Sequence, residues 1–230
     1  MSSGLEGNWA LARLAMGRAE EAERAVLNAA AKAEHGGITF AAALLRASAV
    51  RSAPARGDLA TADMRWAELL PDEKRRLAAK EKGTEIVRLL LKSARLSLPH
   101  HRPDDALNSL THAATLIASR HQPTNPDARE LETLESQALL AEQRYTEATQ
   151  HAQAAIELAR ASAIDTNSSA WIGEALILRA RAEAPSSAAA AAATAQQALP
   201  HLLNNLDPAH PLIPEARALS EPSTLSARSQ

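Results

Sequence analysis

The sequence predicts an all-α solenoid of about five antiparallel helix hairpins, and three observations carry the prediction. Ala22, Ala62, Ala106, Ala148 and Ala190 recur at intervals of 40, 44, 42 and 42 residues. Each stands five residues after a turn-like position (Gly17, Gly57, His101, Gln143 and Pro185), with an amphipathic Ala/Leu-rich stretch on either side. Such a period belongs to stacked repeats, because one hairpin cannot bury its own apolar face and its neighbours must supply the rest of the core. Apolar residues form 46% of the chain and aromatics only 2%, so that core has to be made of Ala and Leu. Side chains this small let helices approach to about 8 Å.

Taken in order, residues 8–34 make the first hairpin: a short helix over 8–16, a turn at Gly17-Arg18, and a helix over 19–34 closed by His35-Gly36-Gly37. The second spans 39–70, joined through Pro54-Ala55-Arg56-Gly57 and ended by Pro71. A helical pattern then runs to Ser97, broken at Gly83-Thr84, where Thr84 is placed either to cap a fresh helix from Glu85 or to lie in one kinked helix. The third hairpin, 85–120, carries Pro103 in the first turn of its second helix. Pro123 and Pro126 punctuate the chain before the fourth hairpin, 127–162, and the fifth, 169–199, for which Ser168 and Ser186 are the expected caps. Pro200 is expected to end or kink that last helix, since it lacks the N–H the helix needs. Four prolines after Leu206 leave room for a short terminal helix at 213–220, and 221–230 is expected to be a disordered tail.

This pattern resembles the tetratricopeptide repeat family in its longer, roughly 42-residue variety, seen in kinesin light chain and in bacterial regulatory proteins. That family places a Gly at the turn, a small residue early in the second helix, a bulky one four residues later and Ala three after that. Gly17, Ala22, Val26 and Ala29 follow this order, as do Gly57, Ala62, Trp66 and Leu69, then Ala106, Leu110 and Ala113, and Ala148, Ala152 and Ala155. Tyr145 stands where the family often has an aromatic residue after the turn, and Leu206-Asp207-Pro208-Ala209-His210-Pro211 looks like its inter-repeat linker. His101, Gln143 and Pro185 depart from the turn Gly. The resemblance implies a right-handed superhelix that holds an extended peptide, a partner helix or a partner domain on a concave face lined by the first helix of each hairpin. It also implies a place within a larger regulatory protein, to which the clipped final linker and the opening Met-Ser-Ser-Gly point, with a partner that includes another domain of the same parent chain.

Aligned on the Ala series, Leu11, Arg51, Arg95, Gln137 and Arg179 occupy one position, eleven residues before each Ala. Arg88 and Lys92 share a helical face with Arg95. An Arg row suits acidic ligands because the guanidinium fork pairs bidentately with carboxylate. Arg51, Arg88, Lys92, Arg95, Gln137 and Arg179 are therefore the candidate partner-binding residues. The alternative is a solvated amphipathic face paired with Glu85, Glu130, Glu132 and Glu174.

Other chemistry finds little support. The formal net charge is −2, against general polyanion binding, and the basic stretch from Lys74 to Arg102 has no aromatic residue interleaved to stack bases. With no Cys there are no thiolate nucleophiles or Cys zinc ligands, and no Gly-flanked Ser elbow or phosphate loop occurs. No His stands four residues from another, so metal ligation would need His112, His121 or His151 brought together from separate repeats with a carboxylate. Trp9, Trp66 and Trp171 fall at helical positions that suit core packing or hairpin contacts, with a place in a groove as the other use. No run of about 18 strongly apolar residues and no basic-then-apolar leader is visible, which predicts a cytoplasmic chain without a membrane span. The sequence thus predicts a noncatalytic interaction scaffold without cofactor or metal. The alternative reading is a regulatory sensing domain for a small acidic ligand or signalling peptide.

Overall fold

The structure, a computed structural model, describes residues 9–37 except Leu11 and Ala15, single positions between 42 and 67, and residues 84–119 and 126–221. Most of the expected second hairpin, with Arg51, Trp66 and Gly57, lies outside the described residues, as do the basic stretch before Thr84 and the tail beyond Glu221. The described residues contain helices and no strand. They fall into two compact units, Met1–Arg102 and Pro103–Gln230. The first holds helical residues at 9, 10 and 12–14, then α1 (Ala19–His35) and α2 (Thr84–Ser97). The second holds α3 (Pro103–Ala118), α4 (Pro126–Ala141), α5 (Tyr145–Ser162), α6 (Ala170–Glu183), α7 (Ala188–Leu203) and α8 (Leu212–Ser220).

Three turns are built alike. Gly17, His101 and Gln143 all take positive φ, at 88°, 55° and 59°. The N–H of each returns to the carbonyl three residues back, on Leu14, Leu98 and Leu140, and the N–H of the following Arg returns five back, to Arg13, Ser97 and Leu139. These paired bonds form the Schellman closure, which satisfies the last carbonyls of a helix by turning one residue left-handed. The Arg after it opens the next helix: Arg18 and Arg144 are the N-caps of α1 and α5. His101 and Gln143 do this work with a Cβ in a region that disfavours it by about 1–2 kcal/mol. Gln143→Gly removes that penalty while adding unfolded-chain freedom, so it is expected to stabilise the protein by about 0.5–1 kcal/mol in urea titration. An unchanged or lower midpoint would show that the Gln side chain compensates.

Small residues after each turn then form a recurring buried stripe. In α1 it is Ala22, Val26, Ala29 and Ala33, in α3 Ala106, Leu110 and Ala113, and in α5 Ala148, Ala152, Ala155 and Ala159. In α7 the stripe is Ala191, Ala195, Ala198 and Leu202, whereas Ala190 is exposed. The Ala series therefore slips by one residue in the last pair, and Pro185 explains the slip. Its ring fixes φ near −65°, which forbids the left-handed turn residue used at Gln143. Ala184 instead continues in right-handed helical geometry, the N–H groups of Ser186 and Ser187 both return to the Glu183 carbonyl, and Ser187 rather than Ser186 caps α7 by accepting from the Ala190 N–H. Four residues separate α6 from α7, against three between α4 and α5, and the extra one moves Ala191 into the buried row.

Within the second unit each helix packs on the one before it, and α6 also meets α4 while α8 meets α6. Its largest core joins Ala155, Ile156 and Ala159 of α5 to Ile172, Leu176 and Ala180 of α6, Ala195, Ala198 and Leu202 of α7, and Ile213 and Ala216 of α8. A second cluster packs Leu139 of α4, Ala148 of α5 and Ala182 of α6 against Leu107 of α3. Ser136, wholly buried, donates its hydroxyl to the Ala148 carbonyl at 2.9 Å and fixes the α4–α5 register. Helix α7 runs through Pro200 to Leu203, beyond residue 199 where the sequence places its end. Pro200 and Gln196 are both exposed, so the Gln196 carbonyl that Pro200 cannot serve lies on the watery side. Among the described residues, no helix is long and apolar enough to cross a membrane.

Candidate functional site

The candidate binding residues divide between the two units. Arg88, Lys92 and Arg95 lie on α2, whose helical pitch gathers them within an arc of about 60°. Arg88 is exposed, and the other two are half-buried beside the buried face formed by Ile86, Val87, Leu90, Leu91 and Ala94. Gln137, half-buried, lies on α4, and Arg179 lies on α6. Arg51 lies outside the described residues. Arg179 is turned to its own neighbours. Its Nε donates to Glu183 at 2.7 Å and its Nη1 to the Gln153 side chain on α5 at 3.0 Å, while the Thr194 hydroxyl of α7 donates to the other oxygen of Glu183 at 2.6 Å. One charged chain thereby ties α5, α6 and α7 together. Its carboxylate partner is Glu183, which the sequence reading did not name.

Two tryptophans sit apart from the core packing expected of them. Trp9 and Trp171 remain 47% and 45% exposed, and each carries a guanidinium on its ring. Arg13 lies 4.6 Å from the Trp9 centroid in the first unit, and Arg129 of α4 lies 3.6 Å from that of Trp171 on α6 in the second. Burial holds the Arg129 guanidinium below its ordinary range, while Glu130 and Glu174 pull it back up. Partial desolvation strengthens the attraction between cation and ring face to about 1–2 kcal/mol. The result is a polarised aromatic surface bridging two helices and still open to a partner on its outer side.

A third arrangement lies on the α4–α5 hairpin. Glu132 and Glu135, three residues apart on α4, present carboxylates on one face, and the antiparallel return brings His151 of α5 between them. Its Nδ1 stands 2.8 Å from Glu132 Oε2 and 3.1 Å from Glu135 Oε2. The side chains are 34%, 23% and 16% exposed for His151, Glu132 and Glu135, so the group is recessed yet reachable by water. Hydrogen bonds to both carboxylates raise the imidazole from 6.5 to about 10 against the opposing effect of burial. Among the described residues this is the group of His and carboxylate ligands whose donor atoms converge, all within 4.8 Å of one another. Sequence spacing within one helix could not reveal it. Folding the chain about Gln143 does, because the mirror position of Glu135 is His151 itself and that of Glu132 lies within one helical turn of it.

Two further histidines act in the opposite sense. The Ser169 N–H donates to His201 Nδ1 and the Leu212 N–H to His210 Nδ1, each at 3.3 Å, so both rings serve as neutral acceptors. Burial lowers both, with Arg160 adding to the effect at His201 while nearby carboxylates oppose it at both rings. They pin the entrances of α6 and α8. No family model matches this chain, and comparison with curated proteins returns no significant match.

Proposed function

We propose that this chain is a noncatalytic tetratricopeptide-like scaffold whose stacked hairpins form a right-handed superhelix and hold a peptide or partner domain on the face lined by the first helices. One observation carries the reading: the same left-handed turn recurs at Gly17, His101 and Gln143, each five residues before a buried Ala that begins the same small-residue stripe. Repetition of a turn and a packing row together is what a stacked repeat requires, since every hairpin must offer equivalent faces to its neighbours. The α4–α6 and α6–α8 contacts agree with first helices standing side by side. The first unit offers the positive stripe of Arg88, Lys92 and Arg95, and the second, on its own first helices, offers Gln137 as a neutral hydrogen-bonding group and Trp171 under Arg129 as an aromatic anchor of the kind that dominates protein interfaces.

Selection of a random peptide library on the immobilised full chain tests this. Acidic peptides are expected, with binding that weakens as salt rises. An Arg88→Ala, Arg95→Ala double variant that keeps its circular dichroism is expected to bind them at least about tenfold more weakly, equivalent to about 1.4 kcal/mol. Failure to enrich any peptide, or equal binding by both proteins, would refute the proposal.

A further inference from the structure

We propose that Glu132, Glu135 and His151 form a binding site for one divalent first-row transition-metal ion, with Zn2+ the best fit, built across the α4–α5 hairpin. Two anionic carboxylates converge on a single ring nitrogen, with Nδ1 2.8 Å from Glu132 and 3.1 Å from Glu135. One N–H can serve both acceptors only as a divided, poorly aligned three-centre bond, whereas a metal ion accepts all three donors together. In a tetrahedral zinc site with bonds of about 2.1 Å, ligand atoms stand about 3.4 Å apart. His151 Nδ1 needs to draw back by about 0.6 Å from Glu132 and about 0.3 Å from Glu135 to admit the ion, a movement within reach of side-chain torsions.

The donor set chooses the metal class. Imidazole nitrogen with two carboxylates suits zinc, cobalt or nickel, while calcium and magnesium favour all-oxygen shells. Two carboxylates and a neutral imidazole balance a doubly charged ion. Partial exposure of all three side chains leaves room for water to complete the shell. The platform is rigid in the needed directions: both Glu residues sit on one α4 face, and the buried Ser136 hydroxyl bonded to the Ala148 carbonyl holds α5 in register one turn away. Binding at this site would clip α4 to α5.

Equilibrium dialysis of the full chain against Zn2+ alone, in the wild type and in the Glu135→Gln and His151→Gln variants, tests the site. Because the chain has eight His, the variants decide. The expected result is one Zn2+ per wild-type chain and at least about tenfold weaker uptake in each variant. Co2+ is expected to give the visible absorption of a four-coordinate ion in the wild type and not in the variants, with circular dichroism unchanged throughout. No uptake by the wild type, or equal uptake by all three proteins, would overturn the proposal and leave the triad an ion-pair clamp. Uptake that survives His151→Gln but not Glu135→Gln would overturn it as well, by pointing to an all-oxygen site.

Discussion

Gly173→Val is expected to destabilise the protein by about 3 kcal/mol, lowering the thermal midpoint by about 6–12 °C. Gly173 is buried on α6 against Leu202 and His201 of α7. A Cβ there would stand 2.7 Å from Leu202 Cδ2, 2.9 Å from Leu202 Cγ and 3.1 Å from His201 Cβ. Leu202 is wholly buried in the α5–α8 core, so it cannot swing aside without displacing Ile172, Ala198 or their neighbours. Overfilling forces off-rotamer side chains or a wider helix spacing. Gly173→Ala meets the same atoms but recovers up to about 1 kcal/mol of helix propensity, so its loss is expected to be about 1 kcal/mol. Melting the three proteins side by side checks the order. If Val melts within about 2 °C of the wild type, the α6–α7 approach is looser than the structure has it.

Stability is expected to fall as pH rises from about 6.5 to about 10, in chelator-treated protein, and His151→Gln is expected to flatten that fall. His151 titrates at about 10 in the fold against 6.5 for a free imidazole. A group whose folded value is raised contributes fully below its unfolded value and loses that contribution as pH climbs through the folded one. Because about a third of the ring meets water, screening leaves about 1–2 kcal/mol at stake. His201 and His210 carry the opposite sign. Their lowered values make them stabilising above 6.5, and this is lost as pH falls, when protonation of Nδ1 would break the bonds from the Ser169 and Leu212 N–H groups. The two limbs place the optimum near neutrality. Urea midpoints at pH 5.5, 7 and 9.5, with histidine NMR titration of His151, check both limbs. A ring that titrates near 6.5 would show that the clamp does not form.

Much of the fold was legible because its signals are local. The turn positions could be read at Gly17, His101 and Gln143 from the phase of the Ala residues that follow, even though only the first is a glycine. The phase failed at Pro185, where a residue that cannot turn left-handed lengthens the connection and moves Ala191 into the place assigned to Ala190. Pro200 does not end α7, since a proline on the exposed side of a helix costs less than one facing the core. For the site, the helical spacing of Arg88, Lys92 and Arg95 was readable. The engagement of Arg179 by Gln153 was not, because Gln153 belongs to the preceding helix and is met only once α6 packs on α5.

By itself, then, the sequence determined the all-helical class, the period of the hairpins and the small-residue composition of their seams, all properties that follow from spacing along one chain. Only tertiary structure decided which side chains meet across helices. His151 settles between Glu132 and Glu135, Arg129 stacks on Trp171, and Gly173 opens the gap that Leu202 fills. These pairings depend on the register and separation of packed helices, quantities set by turn length and side-chain volume to within a residue and a few tenths of an ångström, finer than any periodicity can resolve.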